Sequence, residues 1–268
     1  MKRTVEICAN SAQSCVEAEA GGAKRVELCA AIPEGGTTPS YGEIKTAQEL
    51  TRTIDIHVII RPRGGDFLYT EAEVQAMLHD IELCRQLKVH GVVFGCLTGE
   101  GDVDTALLRR LVAAARPLSV TFHRAFDVCR DPFLALEQII EAGCDRILTS
   151  GQQPNAEQGI PLIAELVKKA AGRIIIMPGC GVRENNIARI EAETGATEFH
   201  TSARSTVYSQ MEYRNENVPM GSSAVSSEFE TVRTDREKVK RLITISCKNS
   251  NYCNHICNNP QKTHLLKL

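Results

Sequence analysis

The 268-residue chain has little net charge: 31 lysines and arginines stand against 33 aspartates and glutamates, a formal charge of −2. No basic run dominates, which argues against a nucleic-acid or polybasic membrane partner. No stretch approaches the length of an apolar membrane span, and Met1 to Ser11 offers two basic residues without an apolar segment of signal length. A soluble protein of the cytoplasm is expected, with the nucleus left open. Eleven cysteines are present, but none in paired CxxC spacing, so neither a disulfide framework nor a closed structural zinc site is expected. Most should be reduced, buried thiols. A glycine-rich dinucleotide fingerprint is also missing after the first strand candidate, where CANSAQS stands instead.

Hydrophobic residues make up 43% of the chain, enough to build a core without staples. Eight short apolar runs recur along it: TVEIC, RVELC, IHVII, GVVF, LSVTF, RILTS, IIIMP and TEFHT. Helix start signals lie between them, namely Ser40 with Glu43, Thr70 with Glu73, Thr234 with Glu237, and Asp131 followed by Pro132. Gly21, Gly91, Gly143, Gly172 and Gly195 are placed to close helices. Strict alternation of strand and helix implies parallel strands with crossover helices, and eight repeats over this length favour a single (β/α)8 barrel of the TIM type, residues 1–245. A doubly wound open sheet is the competing fold. Residues 203–233 read as a long loop after strand eight, suited to assembly, and a homo-oligomer is expected. Residues 246–268, polar and rich in asparagine, read as a disordered tail. Its Cys247, Cys253, His255 and Cys257 match no closed metal site.

In such barrels the reactive groups gather where strands run into their following loops. Strand alternation puts Glu6 with Cys8 on one face of strand one and Glu27 with Cys29 on one face of strand two, with Val5, Ile7, Val26 and Leu28 opposite. The apolar set should face the helices, turning both Glu-Cys pairs inward. Arg61 and His123 end strands three and five, and Glu198, His200 and Ser202 share a face of strand eight. Buried ionisable groups in such number must pair with one another or serve chemistry. After strand seven, Gly179, Cys180 and Gly181 offer backbone amides to a small anion, with Arg63, Arg124 and Arg204 as further partners; the alternative is a tight turn.

Cys8 and Cys29 should end adjacent strands about 5 Å apart, the spacing of neighbouring strands. Two reduced thiols so close suit a soft ion such as Cu(I), and they equally suit two small buried apolar residues. A cysteine nucleophile activated by His123 is a third possibility. An enzyme acting on a small phosphorylated or carboxylated metabolite is the alternative to metal binding. It would use Glu27 or His123 for proton transfer and Arg61 to orient the anion, with His200 beside them.

The segments VEICANS, GGAKRVELC, EGGTTPS, IRPRGGDFLY, TFHRAFD, LTSG, MPGCG and GATEFHTSAR together resemble the CutC copper homeostasis proteins, from about residue 4 to residue 245. The resemblance implies a (β/α)8 barrel, a link to copper tolerance, and a copper ion as partner, with Cu(I) held at the positions of Cys8 and Cys29. It implies no established reaction. The family commonly has Pro-Gly-Gly-Gly after strand seven, and here Cys180 replaces the middle glycine, so a ligand close to that backbone would meet a side chain.

Overall fold

All eight apolar runs form strands, and the first seven each lead into a helix that carries the chain back to start the next parallel strand. The structure, a computed structural model, describes residues 3–215, 217, 218 and 228–248. Its alternating elements begin with β1 (Thr4–Ala9), α1 (Ala12–Ala20), β2 (Arg25–Leu28), α2 (Tyr41–Leu50), β3 (Asp55–Ile59), α3 (Glu71–Leu87), β4 (Gly91–Phe94) and α4 (Thr105–Ala115). They continue with β5 (Ser119–Phe122), α5 (Pro132–Ala142), β6 (Arg146–Thr149), α6 (Ile160–Ala170), β7 (Ile175–Pro178), α7 (Ile187–Thr194) and β8 (Glu198–Thr201). One parallel sheet runs from β8 through β1 to β7, and β7 lies beside β8 without a ladder between them. This is the nearly closed (β/α)8 barrel read from the sequence, rather than an open doubly wound sheet.

The outward faces of the strands and the inner faces of the helices share one apolar layer, with Ile7, Val26, Leu28, Val58, Phe94, Phe122 and Phe199 buried in it. Local chemistry sets where the helices begin. Thr70 and Glu73 close a full capping box on α3, and Asp131 accepts from Phe133 and Leu134 N–H ahead of Pro132 on α5. Ser40 accepts from Glu43 N–H, but the Glu43 carboxylate reaches across to Ala12 N–H and leaves the box half made. The predicted Thr234 cap is displaced by one residue: Asp235 takes the N–H groups of Glu237 and Lys238, while Thr234 N–H goes to Ser14 Oγ. Gly143 and Gly195 close helices at φ 87° and 72°, as read, whereas α3 and α6 end on Lys88 and Ala171.

Gly91 has a different task from the helix closure expected of it. It opens β4, and a Cβ there would lie 2.6 Å from the His57 ring, which packs inside the barrel. Within the segment read as a long loop, β9 (Arg204–Tyr208) and β10 (Glu230–Thr234) pair as an antiparallel ribbon. Asn10 Nδ2 donates to Val232 O at 2.6 Å and fastens that ribbon beside β1. The last helix, α8 (Arg236–Lys248), packs against α1, α7 and β1. Of residues 246–268, read as a disordered tail, 246–248 instead continue the helix α8, and the rest lies outside the described residues.

Gly91→Ala tests the packing of this interior. Forcing a methyl group against His57 should destabilise the protein by about 1–3 kcal/mol, the usual cost of overpacking, read as a lower urea midpoint with an unchanged slope. An unaltered midpoint would mean that the His57 ring is free to move aside.

Candidate metal centre and cavity

Inside the barrel the inward positions carry a chain of charges. Arg25 on β2 bonds Glu6 on β1 and, at 2.5 Å, Glu198 on β8; Arg146 on β6 bonds the same Glu198 oxygen at 2.6 Å and Thr121 Oγ1 at 3.2 Å. The other Glu6 oxygen meets His200 Nδ1 at 2.8 Å, and His200 Nε2 lies 3.6 Å from Glu27. The register produces this directly, because Glu6 stands opposite Arg25 on one side and His200 on the other. Burial works to raise the Glu6 pKa, but Arg25 and His200 outweigh it and hold the carboxyl well below its ordinary range. For His200, burial works downward, yet its bonds to Cys8 and Glu6 and the charges of Glu27 and Glu6 hold it well above the ordinary value.

Toward the mouth the chain of charges ends in sulfur. Cys8 Sγ and Cys29 Sγ are 3.8 Å apart, and Arg204 Nη2 approaches Cys8 Sγ at 2.9 Å. The hydrogen bond from Cys29, with His200 and Arg204 nearby, lowers the Cys8 pKa well below that of a free thiol. The same bond, together with burial, raises that of Cys29. Burial above all pushes the Glu27 carboxyl up to about 8. One ligand atom from each of Cys8, Glu27 and Cys29 falls within 4.8 Å of the others. Because metal–thiolate bonds are about 2.3 Å long, sulfurs 3.8 Å apart are within reach of one ion. Two soft sulfurs with one carboxylate fit a soft ion better than magnesium or calcium, which seek oxygen.

These groups open into a cavity of about 1030 Å³ at the ends of the strands, lined also by Arg61, Phe67, His123, Arg124, Gly181, Ser202 and Arg204. Several residues singled out from the sequence are employed otherwise. Arg61 is tied by its terminal nitrogens to the carbonyls of Glu34, Gly36 and Gly65, so it braces two loops. Arg63 lies outside the lining and pairs with Glu73 at 2.5 Å. Gly179 N–H is spent on Thr149 O, and Glu6 and Glu198 lie below the cavity in the charge chain. Arg124 bonds Asp127 and Ser150. His123, read as a possible activator of a cysteine nucleophile, is not among the groups acting on Cys8, which are Cys29, His200 and Arg204.

His123 instead caps a short turn, its Nδ1 accepting Ala125 N–H at 3.2 Å. Gly95 makes the room, since a Cβ there would lie 2.7 Å from that nitrogen. Burial, reinforced by Arg61 and Arg124, pushes the imidazole down to about 3, so the ring is neutral at physiological pH. Arg25, His57 and Arg146 were not anticipated, although strand alternation would have marked them: Arg25 shares a face with Glu27 and Cys29, and His57 shares one with Arg61.

The CutC family model matches residues 3–205. The chain belongs to the CutC family. A family protein CutC of Parabacteroides distasonis is 83% identical over 243 residues, covering 91% of this chain and all of that protein. The human copper homeostasis protein cutC homolog is 48% identical over 242 residues, 90% of this chain and 88% of its own. A solved CutC structure from Streptococcus agalactiae superposes with a TM-score of 0.71 at 36% identity, covering 74% of this chain and 97% of that one. A thiamine phosphate pyrophosphorylase from Pyrococcus furiosus, 14% identical with a TM-score of 0.56 over 91% of this chain and 96% of that one, shares the barrel alone. No helix of the described residues in this CutC-family chain is long and apolar enough to cross a membrane.

Arg25→Met measures what the charge chain contributes. Stripping the shared cation from Glu6 and Glu198 should cost about 3–5 kcal/mol, as for other broken buried pairs. Arg63→Met, which loses two partly exposed pairs, with Asp66 and Glu73, should cost less than Arg25→Met. Equal urea midpoints for the two variants would refute the ranking.

Proposed function

We propose that this CutC-family protein binds Cu(I) in copper homeostasis, through the thiolates of Cys8 and Cys29. The observation that carries this reading is the close approach of the two sulfurs beside Glu27, with Arg204 and His200 supplying positive charge where thiolate must form. Copper is cargo here, so no chemistry beyond capture and release is required of the site. The cytoplasm suits such a protein, since its cysteines would stay reduced there, and eight of them are free thiols among the described residues.

Anaerobic titration of the reduced protein with Cu(I) should saturate near one ion per chain. The Cys8→Ala, Cys29→Ala double variant should lose that binding, and an unchanged stoichiometry would sink the proposal.

A second reading is favoured by the size of the cavity, which is far larger than an ion requires and has Arg183, Arg204 and Lys238 on its walls beside Glu34, Asp127 and Glu184. On this reading it also admits a small carboxylated or phosphorylated metabolite, as the enzymatic alternative supposes. Self-association is proposed through the β9–β10 ribbon, where Tyr208, Met211, Tyr213 and Val232 are exposed. Light scattering should report a homo-oligomer that becomes monomeric on deletion of residues 206–230; no change in mass would place the contact elsewhere.

A further inference from the structure

Arg204 differs from the other arginines in and above the barrel in what it bonds. Arg25 and Arg146 pair with Glu198, and Arg124 pairs with Asp127. The half-buried Arg204 side chain pairs with no carboxylate among the described residues, and both of its hydrogen bonds end on Cys8. Its Nη2 reaches Cys8 Sγ at 2.9 Å and the Cys8 carbonyl oxygen at 3.5 Å, while Nε has no partner. A cation half withdrawn from water needs a counter-charge, and the atom placed to supply one is a sulfur of the proposed copper site. The backbone that carries this charge is braced. Ala203 turns the chain through the left-handed region at φ 46°, and Arg204 then opens β9 opposite Thr234. Asp235 N–H donates to Ala203 O at 2.8 Å, and Lys238 Nζ donates to Arg204 O at 2.6 Å, which ties the start of the ribbon to α8.

We propose that Arg204 is a selectivity residue of the Cys8–Cys29 site, its fixed positive charge biasing the two sulfurs toward a monovalent soft ion and against a divalent one such as Zn(II). This rests on the reading that Cys8 and Cys29 hold copper, and it names what tells one ion from another there. Sulfur alone does not, since Zn(II) and Cu(I) both take thiolate ligands. Charge does. A fixed unit charge repels a divalent ion twice as strongly as a monovalent ion in the same place, so Arg204 disfavours Zn(II) more than Cu(I) whatever else surrounds the sulfurs. The converse holds for Arg204 itself. Two thiolates around a monovalent ion retain one negative charge for the guanidinium to meet, whereas around a divalent ion they retain none and leave a half-buried cation without a counter-charge. Discrimination of this kind comes from a repulsive element aimed at the wrong ion, not from added contacts to the right one.

The test compares the affinities of the full-length, reduced protein for Cu(I) and for Zn(II), each measured anaerobically by competition with a chromophoric chelator. Arg204→Met should lower the preference for Cu(I) over Zn(II) by about tenfold or more. Arg204→Gln, which keeps an N–H donor for Cys8 without the charge, should lower it as far. Arg204→Lys, which keeps the charge without the planar fork, should stay within about threefold of wild type. His200 and Glu27 are common to all of these proteins, so a change in the ratio reports residue 204, whereas a loosened fold would weaken both ions together and leave the ratio unmoved. If the wild-type protein binds no Cu(I), the copper reading and this inference fail together. The copper reading stands and the role of Arg204 is overturned if Cu(I) binds but the preference is unaltered in Arg204→Met and Arg204→Gln, including the case in which Zn(II) binds neither them nor the wild type. It is equally overturned if Arg204→Lys loses the preference as fully as Arg204→Met.

Discussion

The architecture of the site depends on Arg25. Its guanidinium lies inside a barrel whose inward positions are usually aliphatic, and it joins two carboxylates, Glu6 on β1 and Glu198 on β8. Two carboxylates buried together would otherwise repel, and burial alone would push each toward its neutral form. With Arg25 and Arg146 between them, both stay ionised. Against burial, Cys8 and Glu6, which bond His200, and the charge of Glu27 hold the imidazole well above its ordinary pKa, so Glu6 couples Arg25 to His200. A cation near the bottom of the barrel is thus linked, through Glu6 and an imidazole, to a sulfur at its mouth.

The outcome is a graded interior. The lower part is an ion network with its lone pairs largely met, which gives it strength but no spare valence. The upper part is less complete: two sulfurs in contact, a carboxyl raised to about 8 by burial, and donors on Arg204 and His123 without partners. Soft sulfur on one wall and nitrogen donors on another divide the cavity into regions of different chemistry. The β9–β10 ribbon and α8 complete that mouth by bringing Arg204 and Lys238 over it, tied together by Lys238 Nζ donating to Arg204 O at 2.6 Å.

How much of this was legible in the chain depended on range. Alternation of apolar runs with capped segments identified the barrel, since each repeat is a local pattern with a local cause. Matching offsets in VEIC and VELC turned Cys8 and Cys29 to the same interior, because side-chain direction in a strand depends on parity alone, but the ladder sets Cys8 opposite Glu27, two residues before Cys29. The same parity marks Arg25 and His57, but what they face depends on the register, which sets Arg25 opposite Glu6 and His57 opposite Glu27. Asp235 displaced Thr234 as the α8 cap for a tertiary reason: Ser14 Oγ on α1 claims the Thr234 N–H.

Residue types, their parity and the eightfold repeat, all readable along the chain, therefore decided the fold, the inward turn of the cysteines and glutamates, and the family resemblance. Only the closed barrel decided which charges meet. Arg25 reaches Glu198 across 173 residues, Arg61 is consumed by loop carbonyls, and Arg204 rather than His123 comes to Cys8. Hydrogen-bond partners and burial are set by distance in space, and two residues far apart in sequence acquire a distance only when β8 closes beside β1.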